Sequence, residues 1–194
     1  MNIVLASGSP YRAAVLRGAG YDIEVDPPHV DERASDSLFA RGAEVLALEL
    51  ARQKADAVAP RHVADIVLAA DQVGVLDQPG GPRMLTKAPG IDAAVAQLMA
   101  MSGTTHRLIN ALVLLHTGTG EAVDGVDVQV VSMCEYDESA ARAYVERFEP
   151  FDTAGSYRLE DDAGLVESVQ GEHDSGVLGM PLPLLGRMLE QLGR

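Results

Sequence analysis

The sequence predicts an α/β fold with a mixed sheet. It opens as strand, helix, strand, and the later run Ile66-Val67-Leu68-Ala69-Ala70 is apolar without interruption, as in a strand covered on both faces. Beyond that run, strands and helices follow one another in an order that gives a mixed sheet rather than a regular doubly wound one.

Ile3, Val4, Leu5 and Ala6 form the first strand, which Ser7-Gly8-Ser9-Pro10 breaks. Pro10 suits the first helical position, and a helix over 12–18 ends at Gly18. A strand over 21–25 stops at Pro27-Pro28, and an acidic loop over 29–33 precedes a long helix over about 38–58 carrying Lys54 near its end. The strand over 63–70 runs into Asp71-Gln72. Apolar residues resume at Val73, Val75 and Leu76, and Gln78-Pro79-Gly80-Gly81-Pro82 makes a turn, so a hairpin should hold Asp71 and Lys87 near its open end. A helix over 91–101 follows, then strands over 106–115 and 122–133 joined at Thr117-Gly118-Thr119-Gly120. A helix over 138–148, a short strand over 165–169 and a helix over 182–192 complete the order.

A chain of 194 residues can bury one sizeable core, so a single domain over 1–194 is expected. Fifteen Lys and Arg against 29 Asp and Glu leave a formal charge of −14, which argues against nucleic acid or an anionic membrane as a partner. An anionic substrate would have to be held by a few local cations. The single cysteine, Cys134, rules out an intramolecular disulfide and a cysteine-based zinc cluster and suits a reducing compartment. With no signal-peptide pattern and no apolar run near the roughly 20 residues of a membrane span, the expectation is a soluble, cytoplasmic protein.

The junction from Ala6 to Arg12 aims unpaired backbone N–H groups and a helix N-terminus at one spot beside a guanidinium, which suits an anion; an ordinary capped helix reads the same way. Asp71 is a carboxylate ending an apolar strand, fit to be a general base or metal ligand, and equally a turn-forming residue. Taken singly, Glu32 and Asp31 read as solvated loop acids, and Lys54 and Lys87 as surface lysines. As a set, Arg12, Lys54, Lys87, Glu32 and Asp71 lie near element ends, where distant segments converge. Polyphosphate hydrolysis needs such a set: cations and Mg²⁺ neutralise the phosphates while a carboxylate activates water. No G-x-S-x-G or G-x-x-x-x-G-K-[ST] pattern occurs, which disfavours a nucleophilic triad and a P-loop enzyme.

Ordered motifs along almost the whole chain resemble the Maf proteins, house-cleaning nucleotide pyrophosphatases. They are Leu5-Ala6-Ser7-Gly8-Ser9-Pro10 with Arg12, Val30-Asp31-Glu32, Leu50-Ala51 with Lys54-Ala55, Ala70-Asp71-Gln72, Lys87, Ser102-Gly103, Ala154-Gly155-Ser156 and Gly179-Met180-Pro181-Leu182. The resemblance implies an elongated two-lobed fold like that of inosine triphosphate pyrophosphatases, with a central cleft, a homodimer and a divalent cation, Mg²⁺ or Mn²⁺. It implies cleavage of a nucleoside triphosphate between the α- and β-phosphates. It makes Asp71 the catalytic base and Arg12, Lys54 and Lys87 phosphate-binding cations, lines the phosphate loop with Ser7 and Ser9, and lets Glu32 hold the metal with Asp71.

Tyr11, Gln72 and Glu160 resemble the branch acting on 7-methyl-GTP rather than the dTTP/UTP branch, which has Arg, Thr and Gln there. N7 methylation makes guanine cationic, which favours stacking on an aromatic ring, and a carboxylate can accept from its N1–H and N2–H₂ edge. Read without the family, Tyr11 is a helix-start packing residue and Glu160 a solvated acid beside Asp161 and Asp162. The chain departs from the family pattern in having Tyr11 for Trp, Ala13 for a second Arg, a longer 71–87 stretch, and Ala88 between Lys87 and Pro89. The same reaction on dTTP, UTP or other modified nucleotides is the alternative within enzymes; a nucleotide-binding regulator of septum formation with vestigial catalysis is the alternative outside them.

Overall fold

Strand β1 (Ile3–Ala6) pairs in parallel with both β2 (Ile23–Val25) and the start of β3 (Ile66–Gln78), Ala6 lying opposite Ala69. The computed structural model describes residues 2–193. Beyond these three strands come β4 (Gly81–Leu85), β5 (Thr105–His116), β6 (Ala122–Met133) and β7 (Val166–Gln170). Helices α1 (Pro10–Gly18), α2 (Ala43–Val58), α3 (Ile91–Met101), α4 (Glu138–Phe148) and α5 (Leu182–Leu192) alternate with them. Among the described residues the seven strands form a mixed sheet, ordered β2-β1-β3-β5-β6-β7 with β4 beside β3, which is the predicted fold class. No helix among the described residues is long and apolar enough to cross a membrane.

Two expected elements are corrected. The helix foreseen from about residue 38 begins at Ala43; before it, Glu32–Arg41 winds as a tighter 3₁₀ helix, and Gly42, at φ 128°, breaks the path between them. The segment's Ser and Asp residues compete for backbone hydrogen bonds and weaken an α-helix there. Strand β3 does not stop at Asp71 but carries it in mid-strand, buried between Ala70 and Val73 on a run the pattern had divided.

The chain divides into two compact units. The first comprises the chain up to Gln72, Ile109–Val128 and the chain from Gly171 onward. Its core joins Leu5, Leu16, Leu68, Leu112, Met180 and Leu185. Helix α5 buries Leu184, Leu185, Met188 and Leu192, one face of a 3.6-residue repeat. Helix α2 buries Leu46, Ala47, Leu50, Ala51, Ala55 and Val58 by the same rule, and Lys54 lies on that buried stripe.

The second unit comprises Val73–Leu108 and Gln129–Gln170. Within it β3 and β4 form the expected hairpin, Gly74 opposite Leu85. A Cβ on Gly74 would lie 3.0 Å from the Leu85 Cβ, so any larger residue there would have to displace Leu85 by a few tenths of an ångström. His106, 1% exposed, bonds through Nε2 to the buried Tyr157 hydroxyl at 2.8 Å, while its Nδ1 has no hydrogen-bond partner. Burial holds its pKa down to about 4 from 6.5, so the folded protein keeps this imidazole neutral. Its contribution to stability is complete above pH 6.5, declines as the unfolded chain takes up a proton below that, and levels off below about 4. That shift amounts to about 3 kcal/mol. Urea unfolding of wild type and His106→Gln at about pH 7.5 and about pH 4.5 should show the wild type losing more stability on acidification, by roughly that amount.

Candidate active site

The loop after β1 is organised by two serines and an arginine. Ser9 caps α1, its Oγ accepting from the Arg12 N–H at 3.4 Å, with Pro10 in the first turn. The buried Ser7 Oγ accepts from the Ser9 N–H and from Arg12 Nη1, each at 3.2 Å. Arg12 Nε donates to the Gly179 carbonyl at 3.1 Å. Gly179 has φ 77°, and a Cβ there would come within 3.2 Å of Arg12 Nε, so glycine both permits the turn and leaves room for the guanidinium. Burial lowers the Arg12 pKa, and the charges of Asp71 and Glu32 oppose that shift. A guanidinium remains cationic at neutral pH regardless.

Lys54 is the centre of charge. Its ammonium donates to Asp71 Oδ1 at 2.5 Å and pairs with Glu32 Oε1 at 2.8 Å. The side chains of Lys54 and Asp71 are each 8% exposed, whereas Glu32 is 51% exposed. An amine and a carboxylate this deep would be expensive alone; together each supplies the other's counter-charge. Because β1 ends opposite Ala69 and β3 runs on, Asp71 lies just beyond the carboxyl end of β1, where the Ser7 loop begins. Ligands of parallel α/β sheets bind at such strand ends.

The donor chemistry fits a hard divalent cation. Asp71 and Glu32 both turn a carboxylate oxygen to Lys54 Nζ, and these two carboxylates are the groups that could hold Mg²⁺, which takes one or two protein carboxylates with the remainder from water and phosphate. No cluster of three or more His, Cys, Asp or Glu suited to a metal occurs among the described residues.

Gln72 follows Asp71, and its amide is engaged. Nε2 donates toward Asn110 Oδ1 at 2.9 Å, the Val177 carbonyl at 3.1 Å and the Gly176 carbonyl at 3.2 Å. Tyr11 sits half-buried in the first turn of α1. The first unit thus brings together Ser7, Ser9, Arg12, Glu32, Lys54 and Asp71, with Tyr11 and Gln72 adjoining them in sequence. Lys87 and Glu160 belong to the second unit, both exposed. Lys87 forms an antiparallel bridge with Ala154, and Glu160 lies in the 3₁₀ turn Leu159–Asp161.

Sequence reasoning passed over Asn110 and Gln97. Gln97 accepts the Thr86 N–H at 3.2 Å and donates to the Thr86 carbonyl and Ser156 Oγ, each at 2.9 Å, fixing the backbone beside Lys87. Both amides interrupt apolar stretches, and a polar side chain in a core position must find partners. That signal was available.

A family model described as Maf-like protein matches residues 2–192. A 7-methyl-GTP pyrophosphatase from Nitrosococcus oceani is 35% identical over 98% of this chain and 93% of its own. A dTTP/UTP pyrophosphatase from Thermomicrobium roseum is 38% identical over 100% of this chain and 85% of its own. A nucleoside triphosphate pyrophosphatase from Corynebacterium aurimucosum is 34% identical over 100% and 95% respectively. Among solved structures, a nucleoside-triphosphatase / dITP/XTP pyrophosphatase from Mycobacterium abscessus aligns over 69% of this chain and 74% of its own, at 18% identity and a TM-score of 0.37.

Proposed function

Because the chain belongs to the Maf-like family, we propose that it hydrolyses a nucleoside triphosphate between the α- and β-phosphates, releasing a nucleoside monophosphate and pyrophosphate, with 7-methyl-GTP as the preferred substrate. The observation that carries the reaction is the buried Lys54–Asp71 pair, with Glu32 on the same ammonium. An incoming triphosphate competes with both carboxylates for Lys54, and Arg12, oriented by Ser7 and Gly179, meets a second phosphate. Asp71 takes a proton from water as the water oxygen bonds to the α-phosphorus. The bond from that phosphorus to the bridging oxygen breaks, and pyrophosphate leaves with its electron pair. A bound Mg²⁺ or Mn²⁺, held by Asp71 and Glu32, would neutralise charge on the phosphate oxygens.

Tyr11, half-buried in the first turn of α1 and preceding Arg12 in sequence, supports the choice of base as an aromatic side chain able to stack on a cationic purine. The named relatives act on both nucleotide classes, so substrate preference is decided by a panel. Pyrophosphate release from 7-methyl-GTP, GTP, dTTP and UTP, with Mg²⁺ or Mn²⁺, should give the highest kcat/KM for 7-methyl-GTP. Tyr11→Ala should lower that value about tenfold more than the value for GTP. Highest turnover of dTTP or UTP would reverse the preference and keep the reaction; tight binding without pyrophosphate release would replace catalysis by a binding role. Lys87→Ala and Glu160→Ala in the same panel report whether those residues act on the substrate.

A further inference from the structure

Asn110 is fully buried in the middle of β5, where every neighbour in the run Leu108 to Leu114 is apolar. An isolated amide there would cost more than an apolar residue of its size, so its bonds identify its use. Its Oδ1 accepts from Gln72 at 2.9 Å, and its Nδ2 donates to the Gly176 carbonyl at 2.8 Å and to Asp127 Oδ2 at 3.1 Å. One side chain therefore joins β3 immediately after Asp71, β6 at Asp127, and the 3₁₀ turn Asp174–Gly176.

That turn leads directly to Arg12. The Gly176 carbonyl that Asn110 and Gln72 share also accepts the Gly179 N–H at 3.1 Å, and the Gly179 carbonyl accepts Arg12 Nε at 3.1 Å. The far side of the turn is held separately: Met180 N–H donates to the Ser175 carbonyl at 3.1 Å, and Leu182 N–H to Ser175 Oγ at 3.0 Å. We propose that Asn110 is a positioning residue for catalysis, which holds the Asp174–Gly179 segment so that the Gly179 carbonyl fixes the Arg12 guanidinium beside Ser7. The inference rests on the proposed role of Arg12 toward phosphate. It gives Gln72 a task in the same network, next to the base and acting through the backbone of the turn.

The test is a double-mutant cycle on kcat/KM with 7-methyl-GTP or, if the panel favours it, dTTP. Asn110→Leu keeps the volume and removes the hydrogen bonds; it should lower kcat/KM about tenfold to a hundredfold in the otherwise wild-type chain. In an Arg12→Ala background it should lower kcat/KM by less than about twofold, while the drop in Tm is the same in both backgrounds. A purely structural Asn110 predicts equal losses of kcat/KM in the two backgrounds, and that result, or a folded Asn110→Leu with unchanged kcat/KM, overturns the proposal. If Asn110→Leu does not fold, Asn110→Ser, too short to reach both Gly176 and Asp127, is read by the same two criteria. Unchanged turnover in Arg12→Ala alone removes Arg12 from catalysis and overturns the inference with it; normal turnover in Arg12→Ala is thus told apart from a failure of coupling.

Discussion

Asp71→Asn is expected to lower kcat by about three orders of magnitude while the protein remains folded. The amide keeps an oxygen in position to accept from Lys54, whose ammonium still has Glu32 at 2.8 Å, so the buried cation is not stranded. What is lost is the basicity that the proposed reaction uses to take the proton from water, and an amide does not replace it. Exchanging an ion pair for a hydrogen bond from the same ammonium to a neutral amide should cost about 1–3 kcal/mol of stability. Pyrophosphate release and a thermal melt on the same preparation check both halves. Turnover near that of the wild type would remove Asp71 from the role of base.

The second large effect is on folding. Lys54→Met preserves the length and the apolar stem of a side chain on the buried stripe of α2, yet removes the counter-charge of Asp71, whose side chain is only 8% exposed. Breaking a buried pair from one side costs about 3–5 kcal/mol, a large share of a typical domain's stability. Adding Asp71→Asn to Lys54→Met should recover part of the loss, because the double variant buries no uncompensated carboxylate. Urea unfolding of the two single variants and the double variant measures this. Additive losses would show that the two charges do not depend on each other.

Lys54 and Asp71 also show how much of the site was legible. Each stands at a position whose neighbours define a buried face: Lys54 between Leu50 and Val58 on a helical repeat, Asp71 in line with Ala69 and Val73. A charge at such a place needs a partner, and that requirement is visible in sequence. The reading of Asp71 as a strand end was misled by the carboxylate itself, which counts as a breaker in a pattern until its counter-ion is known. The early start assigned to α2 had a similar origin: the segment before Gly42 is helical in period, and only the backbone geometry separates its 3₁₀ winding from the α-helix. Asn110 lay in plain view within β5 and was absorbed into the strand, since strand patterning registers apolar runs and ignores a single amide within one.

Local order was set by the sequence itself: the succession of strands and helices, the Ser9 cap with Pro10, the hairpin after β3 and the apolar faces of α2 and α5. These features depend on neighbours two to four residues apart, so their periodicity is written in short stretches of chain. The tertiary structure alone decided which polar groups meet. Asp71 finds Lys54 across 17 positions, Gln72 finds Asn110 across 38, and Arg12 finds the Gly179 carbonyl across 167. Such pairings depend on the register of parallel strands and the packing of helices on them, which no local period encodes; burial then makes each pairing obligatory, because a polar group removed from water must be satisfied by whatever the fold brings to it.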